Sequence, residues 1–271
     1  MGNELLSVPR KRHLGKLAEF VAMEHSSATP TDLAAIARFE EIEVHYDSYE
    51  RAFDGMLVTD GTDFHIHVDI DSGNSPTQKR SRFTLAHELG HYFIDEHRLG
   101  LLSGEIEPHP SRQNPRTTEP IEVEANYFAS CLLMPESKFK RSLTLRSFSS
   151  AVIEKVTDDF NVSFPAATIR FAAVGNHEIM AVVSKDGIAK WFTKSEDFCP
   201  GPFRFKVGEP VPPSTVVGEH FAGKNSRLNG IERVDADDWF HAYDQWAARQ
   251  MYEQCIYRDE WGYVISLLWF D

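Results

Sequence analysis

Apolar side chains at Phe83, Ala86, Leu89, Gly90, Phe93 and Ile94 recur at the three-and-four spacing of an amphipathic helix, which predicts a helix from about Ser81 to Glu96. Just upstream the period changes to two. Phe64, Ile66, Val68 and Ile70 alternate with His65, His67 and Asp69, the pattern of a strand with one buried face. A second apolar run, Met56 to Thr59, precedes it across Asp60-Gly61-Thr62-Asp63, a turn signal, so the two runs read as a hairpin. Thr31 to Phe39 reads as a short helix with Thr31 or Asp32 near its cap. Residues 100–118 are rich in Gly, Pro, Ser, Asn and Arg without a period and predict a long surface loop. Another helix is expected from near Thr118, with Pro120 tolerated in its first turn. It ends at Leu132-Leu133-Met134, because Pro135 pushes the residue before it out of the helical region.

Val152, Ile153, Val156 and Phe160 mark a further helix, broken at Asn161-Val162-Ser163 and resumed by Ala166 to Ala173, a helix-turn-helix silhouette. After Gly175 the texture shifts to short strands. Ile179 to Val183 and Ile188 to Phe192 flank Lys185-Asp186-Gly187, and Cys255 to Tyr257 and Tyr263 to Trp269 flank a turn at Gly262. Between the pairs lie a Pro-rich connector near Glu209 to Ser214 and an acidic, aromatic helix expected from about Asp237 to Gln250. No internal repeat is visible, and this last part reads as a second, α+β domain. It holds all five tryptophans, most of them expected in a core.

Composition narrows the function classes. A chain of 271 residues with 42% hydrophobic and 25% charged side chains has the make-up of a soluble globular protein of about two domains. Its 28 basic and 41 acidic residues give a formal charge of -13, which repels nucleic-acid phosphates. In the helix-turn-helix silhouette Lys155 and Arg170 are the chief basic residues and Asp158 and Asp159 oppose phosphate, so helical packing outranks direct DNA recognition. Apolar runs fall far short of the roughly 20 residues needed to span a bilayer. Met1 to Phe20 intersperses Arg10, Lys11, Arg12 and Lys16 among single hydrophobics, unlike a secretory signal, and Cys131, Cys199 and Cys255 suggest no disulfide framework. The expected compartment is the cytoplasm; oligomeric state is unknown from the sequence.

The chemistry concentrates in His87-Glu88-Leu89-Gly90-His91. Two histidines four apart lie one turn apart on one helical face and can reach one cation, while Glu88, one position round, can hold and deprotonate water without ligating. The five-residue pattern alone is within reach of chance. Its place inside an amphipathic helix, with Gly90 allowing close approach of another helix, raises it. A catalytic zinc takes three protein ligands, so a third must come from a second helix. Glu122 is the stronger candidate, because Asn126 follows one turn later and can orient a histidine ligand. Glu124 is its competitor, and a solvated acidic helix start is the bland alternative. Cys131 reads as a core residue. His65 and His67 fall on a polar strand face with no assigned role, and the offset of six from His91 directs His97 away from the ligand face.

Two segments, Arg82-Phe83-Thr84-Leu85-Ala86-His87-Glu88-Leu89-Gly90-His91-Tyr92 and Glu122-Val123-Glu124-Ala125-Asn126-Tyr127-Phe128-Ala129-Ser130-Cys131-Leu132-Leu133-Met134-Pro135, together resemble the ImmA/IrrE family of bacterial and phage metallopeptidases. A weaker match is Phe160-Asn161-Val162-Ser163 with Ala166, Ala167 and Arg170. The resemblance implies an α+β protein with a zincin-like domain, a small antiparallel sheet plus metal-binding helices, at residues 1–135. A helix-turn-helix-like extension at 136–175 and a C-terminal α+β domain at 176–271, sensor-like or partner-binding, would follow. It implies a gluzincin-like site with His87, His91 and Glu122 as ligands of Zn2+, with Mn2+ or another divalent ion as the alternative, Glu88 as base and Asn126 behind the ligands. Members of the family cleave a helix-turn-helix transcriptional repressor, so such a repressor is the expected partner and substrate. The rival is a metal-dependent sensor or regulator that acts by protein or DNA binding without proteolysis; the intact Glu88 argues against it. An oxyanion donor is expected among Tyr92, His97, His109 and Tyr127, and the strand Phe64 to Ile70 is expected to offer an edge to an extended peptide.

Overall fold

Leu14, Ala18, Val21 and Ala22 share one helical face and are buried, which places the first helix, α1 (Val8–His25), against the rest of the fold. The computed structural model describes residues 6–25, 29–112, 117–143, 147–223 and 228–271, so the first residues of the segment weighed as a secretory signal lie outside the described residues. Helix α2 (Leu33–Phe39) starts on Asp32, whose carboxylate accepts from the Ala35 amide. Strands β1 (Glu43–Asp47), β2 (Gly55–Thr59) and β3 (Phe64–Asp69) follow. The expected hairpin is present as the antiparallel β2–β3 pair, closed by the Asp60 carboxylate accepting from the amides of Thr62 and Asp63. Strand β1, absent from the sequence reading, adds parallel to the other side of β3. The sheet order is therefore β1-β3-β2 and the sheet is mixed. Strand β3 is central, with both sides paired, so it offers no edge to a peptide; β1 and β2 do.

Helix α3 (Lys79–Phe93) carries the histidines and stops three residues before the expected Glu96. At Ile94 the backbone turns extended, and Asp95 and Glu96 open a new helix, α4 (Asp95–Ser103), at the end where negative charge is favoured. Gly104 ends α4 with a left-handed φ of 75°. The loop expected over 100–118 thus begins later than predicted, and residues 113–116 within it lie outside the described residues. Helix α5 (Pro120–Leu133) has Pro120 at its start and ends before Pro135 as expected. Helices α6 (Glu136–Ser142), α7 (Ser150–Asp159) and α8 (Phe164–Val174) follow.

The chain forms two compact units, Met1–Ser142 with Val156–Ala166, and Leu143–Lys155 with Ala167–Asp271. In the first, α5 packs on both α1 and α3, and the buried face of the sheet packs on α3. The α3–α5 approach is closest at Gly90, where an added Cβ would lie 3.2 Å from a Phe128 ring carbon and 3.3 Å from the Cα and O of Ala125. Arg170, one of the two basic residues of the helix-turn-helix silhouette, is buried.

The second unit contains strands β4 (Ile179–Lys185), β5 (Ile188–Lys194), β6 (Ile231–Val234), β7 (Met251–Arg258) and β8 (Tyr263–Phe270) in the order β5-β4-β8-β7-β6, all pairs antiparallel. Helix α9 (Val216–Phe221) precedes β6, and the helix expected over 237–250 is instead two short turns, α10 (Ala236–Trp239) and α11 (Asp244–Ala247). Phe240 interrupts them in extended backbone, bridged to Phe203. Trp239, Trp246 and Trp269 are buried, whereas Trp261 is exposed. Glu253 lies wholly inside this unit and accepts from the amides of Val216 and Val217 and from the Trp239 indole. Burial pushes its carboxyl above the usual carboxylate range, and those donors pull against the shift.

Two stability changes follow. Gly90→Val should lower the unfolding free energy by about 1–3 kcal/mol through overpacking against the backbone of α5. Glu253→Gln, with one acceptor oxygen for donors that now share two, should cost about 1–3 kcal/mol. Denaturant titration followed by circular dichroism measures both.

Candidate metal centre

His87 and His91 leave α3 on the same face, both buried, with Nε2 atoms 3.1 Å apart. Glu122, in the first turn of α5, enters from the opposite helix: its Oε2 lies 3.4 Å from His87 Nε2 and its Oε1 lies 3.3 Å from His91 Nε2. The three ligand atoms all fall within 4.8 Å of one another. Tetrahedral coordination with bonds near 2.1 Å places ligand atoms about 3.4 Å apart, so the spacing suits a single zinc-sized ion.

Hydrogen bonds behind the histidines set which ring nitrogens carry protons. His87 Nδ1 lies 3.1 Å from Asn126 Oδ1, an acceptor, so Nδ1–H donates and Nε2 keeps its lone pair. His91 Nδ1 lies 3.2 Å from His97 Nδ1, and His97 Nε2 lies 3.2 Å from Glu124 Oε2. A carboxylate only accepts, so His97 donates to Glu124 and can accept from His91 Nδ1–H, which again leaves His91 Nε2 bare. Glu124 is in turn gripped by Arg10 of α1, at 2.7 Å and 2.5 Å, and Arg10 also reaches Glu96 at 3.1 Å. Two bare nitrogens and a carboxylate oxygen thus converge, an electron-rich set that a cation satisfies.

Protonation tendencies separate the two histidines: for His87 the lowering by burial is outweighed by Glu122, Glu88 and Asn126, which raise it above the usual imidazole range. Burial, with the neighbouring His87 and His97 against the pull of Glu122, drops His91 to about 3, so its ring is neutral at pH 7. Burial alone would raise Glu122, but the imidazoles of His109, His87 and His91 gathered around it hold it far below the usual carboxylate range.

One expectation is corrected here, and one weaker alternative is set aside. His97 does not point away: α3 ends at Phe93, so the six-residue offset does not run along one helix, and the turn at Ile94 brings His97 back behind His91. Glu124 does not compete with Glu122 for the ligand position, because it faces Arg10 and His97. Of the four residues considered for the oxyanion, His109 stands at the centre, its Nε2 2.9 Å from Glu122 Oε1 and its ring edge-on to His91. Tyr92 donates instead to Glu40, and Tyr127 lies against Gly15 of α1. Arg10 was missed, since nothing in its local sequence ties it to a residue more than a hundred positions away.

Glu88 is buried on the neighbouring face of α3, and its Oε1 finds no hydrogen-bond partner among the described residues. It backs onto the start of β2, where a Cβ at Gly55 would sit 2.7 Å from Glu88 Oε1 and 2.7 Å from Thr84 Cγ2. Burial pushes the Glu88 carboxyl up to about 7, against the pull of His87, Ser111 and His109. A carboxyl balanced near neutrality can both take up and release a proton.

Residues 68–172, which include His87, Glu88, His91, His97, His109, Glu122, Glu124 and Asn126, match the Peptidase M78 family model, described as the IrrE N-terminal-like domain. Residues 68–172 are thus similar to an IrrE N-terminal-like domain, the resemblance that the two motif segments led us to expect. No curated protein matches the chain. Among solved structures, a Mycobacterium tuberculosis transcriptional regulator superposes with a TM-score of 0.58 at 17% identity, covering 96% of this chain and 76% of that one, a likeness of fold.

The chain of hydrogen bonds behind His91 makes a measurable claim. His97→Phe should weaken zinc affinity by about 10- to 100-fold while the protein stays folded, and competition with a chromogenic chelator reads the change.

Proposed function

We propose that this chain is a zinc-dependent endopeptidase that cleaves a helix-turn-helix transcriptional repressor and so derepresses stress-response or mobile-element genes. The observation that carries the reading is the buried Glu88 carboxyl, whose Oε1 has no hydrogen-bond partner among the described residues, beside three converging ligand atoms. His87 and His91 through Nε2, and Glu122 through its carboxylate, would hold the ion, with zinc favoured by two imidazoles and one carboxylate and Mn2+ the alternative. A bound divalent ion supplies Lewis acidity to the scissile carbonyl and makes water more acidic.

The side chains do the rest. Glu88 accepts a proton from the attacking water and passes it to the departing amine, which suits a carboxyl whose affinity for protons lies near neutrality. Asn126, and His97 with Glu124, keep the two imidazoles in one tautomer and orientation. His109, partly exposed and already at Glu122, is the nearest of the candidate donors for the developing oxyanion. An extended substrate would add to β2, the strand that abuts Glu88 and whose outer side carries only the Gly55–Ser111 bridge among the described residues. In this scheme residues 1–135 hydrolyse, 136–175 extend the core and 176–271 bind a partner or signal in the cytoplasm.

The test is to incubate the zinc-loaded protein with the helix-turn-helix repressor encoded beside its gene. Wild type should cut it and Glu88→Gln should not, with zinc content unchanged. Gly55→Ala should slow cleavage about 100-fold by displacing the Glu88 carboxyl while retaining the ion. An intact repressor with the metal site filled would count against the reading. Unaltered derepression by Glu88→Gln in cells would favour the non-proteolytic regulator instead.

A further inference from the structure

The polar face of the first sheet, turned away from α3, carries a second set of chelating side chains. Parallel pairing of β1 with β3 sets Glu43 opposite His65 and His45 opposite His67. Residues two apart on a strand share a face, so Glu43, His45, His65 and His67 form one patch, while Ile66 and Val68 face the core. Within it, Glu43 Oε2 lies 3.4 Å from His45 Nε2 and 3.6 Å from His65 Nδ1, and the three atoms all lie within 4.8 Å of one another. His67 backs the patch: its ring stacks on His45 at 5.1 Å, and its Nδ1 is engaged with the Tyr49 hydroxyl at 2.7 Å.

We propose that Glu43, His45 and His65 form a second divalent-metal site, distinct from the α3–α5 centre. The separations of Glu43 Oε2 from the two histidine nitrogens lie close to the roughly 3.4 Å expected between ligands of a tetrahedral zinc-sized ion. Two imidazoles and a carboxylate select a borderline transition ion over magnesium or calcium, which prefer all-oxygen sets. All three side chains are partly or fully exposed, so the ion can enter from solvent and keep water as its remaining ligand. Because the ligands come from edge strand β1 and central strand β3, a bound ion ties the edge strand to the sheet. Among the described residues this is one of two groups of three or more such side chains placed to share an ion, and the other is the His87, His91 and Glu122 set.

Zinc binding to the full chain, measured by equilibrium dialysis against Zn2+ alone, tests the proposal. Wild type should hold two ions per chain, His45→Gln/His65→Gln one, and His87→Ala/His91→Ala one. In the latter variant, whose remaining ion sits on the sheet, zinc should raise the melting temperature, and adding Glu43→Gln should abolish that rise. Circular dichroism confirms that each variant folds. A wild-type stoichiometry of one, or two ions retained in the folded His45→Gln/His65→Gln protein, overturns the second site.

Discussion

The centre depends on how closely α5 can cross α3. His87 and His91 belong to one helix and supply only two ligand atoms; the third must be delivered from outside, at a distance set by the helix crossing. Gly90 lies between the two histidines in sequence and meets the Ala125 backbone, three residues after Glu122. A side chain there would push the helices apart and with them the Glu122 carboxylate. The small residue is therefore a condition for the ligand spacing as well as for packing, and the same approach carries Asn126 to His87 and Glu124 to His97.

Bringing so many ionisable groups out of water is unfavourable unless each is partnered or neutral. The first unit uses both solutions. His91 and His97 are depressed toward the neutral form by burial, Glu124 is paired with Arg10, and Glu122 is anionic among three imidazoles. Glu88 is the exception, with one oxygen unpartnered and a proton affinity near neutrality. Glu88 Oε1 and Ser111 Oγ are both buried without a hydrogen-bond partner among the described residues, a cost that stability alone does not explain, and the Glu88 carboxyl is the group there able to transfer a proton.

The helix carrying the motif, the hairpin and the Pro-bounded second helix were legible in the sequence because each has a strong local signal: a 3.6 period, strict alternation, and proline at a boundary. The candidate ligands were legible for the same reason, since His87 and His91 share a helix and Glu122 is tied to Asn126 by a single turn. What was not legible depends on pairing across long stretches of chain. Strand β1, Glu43-Val44-His45-Tyr46-Asp47, has weak amphipathicity and pairs parallel, so no turn announces it. Arg10 acts through tertiary contact alone. The error at His97 came from extending α3 past Ile94; a break of one residue reverses the direction in which a side chain points. The acidic, aromatic segment 237–250 reads as one helix in the sequence, but Phe240 is drawn into a bridge with Phe203, and tertiary pairing overrides local preference there.

Both groups of chelating side chains show nearly the same ligand spacing, yet their surroundings differ in a way that separates their chemistry. At the α3–α5 centre each imidazole is fixed from behind by a hydrogen bond, and a buried carboxyl stands beside the ligands. Such bracing holds geometry through a reaction and excludes bulk water. On the sheet face, His45 stacks on His67 and Glu43 is largely exposed. Ligand spacing alone therefore does not distinguish a centre suited to catalysis from one suited to tying two strands together. The distinction lies in what stands behind the ligands: a sheet surface open to water in one case, and in the other a chain from His91 through His97 and Glu124 to an arginine on the first helix.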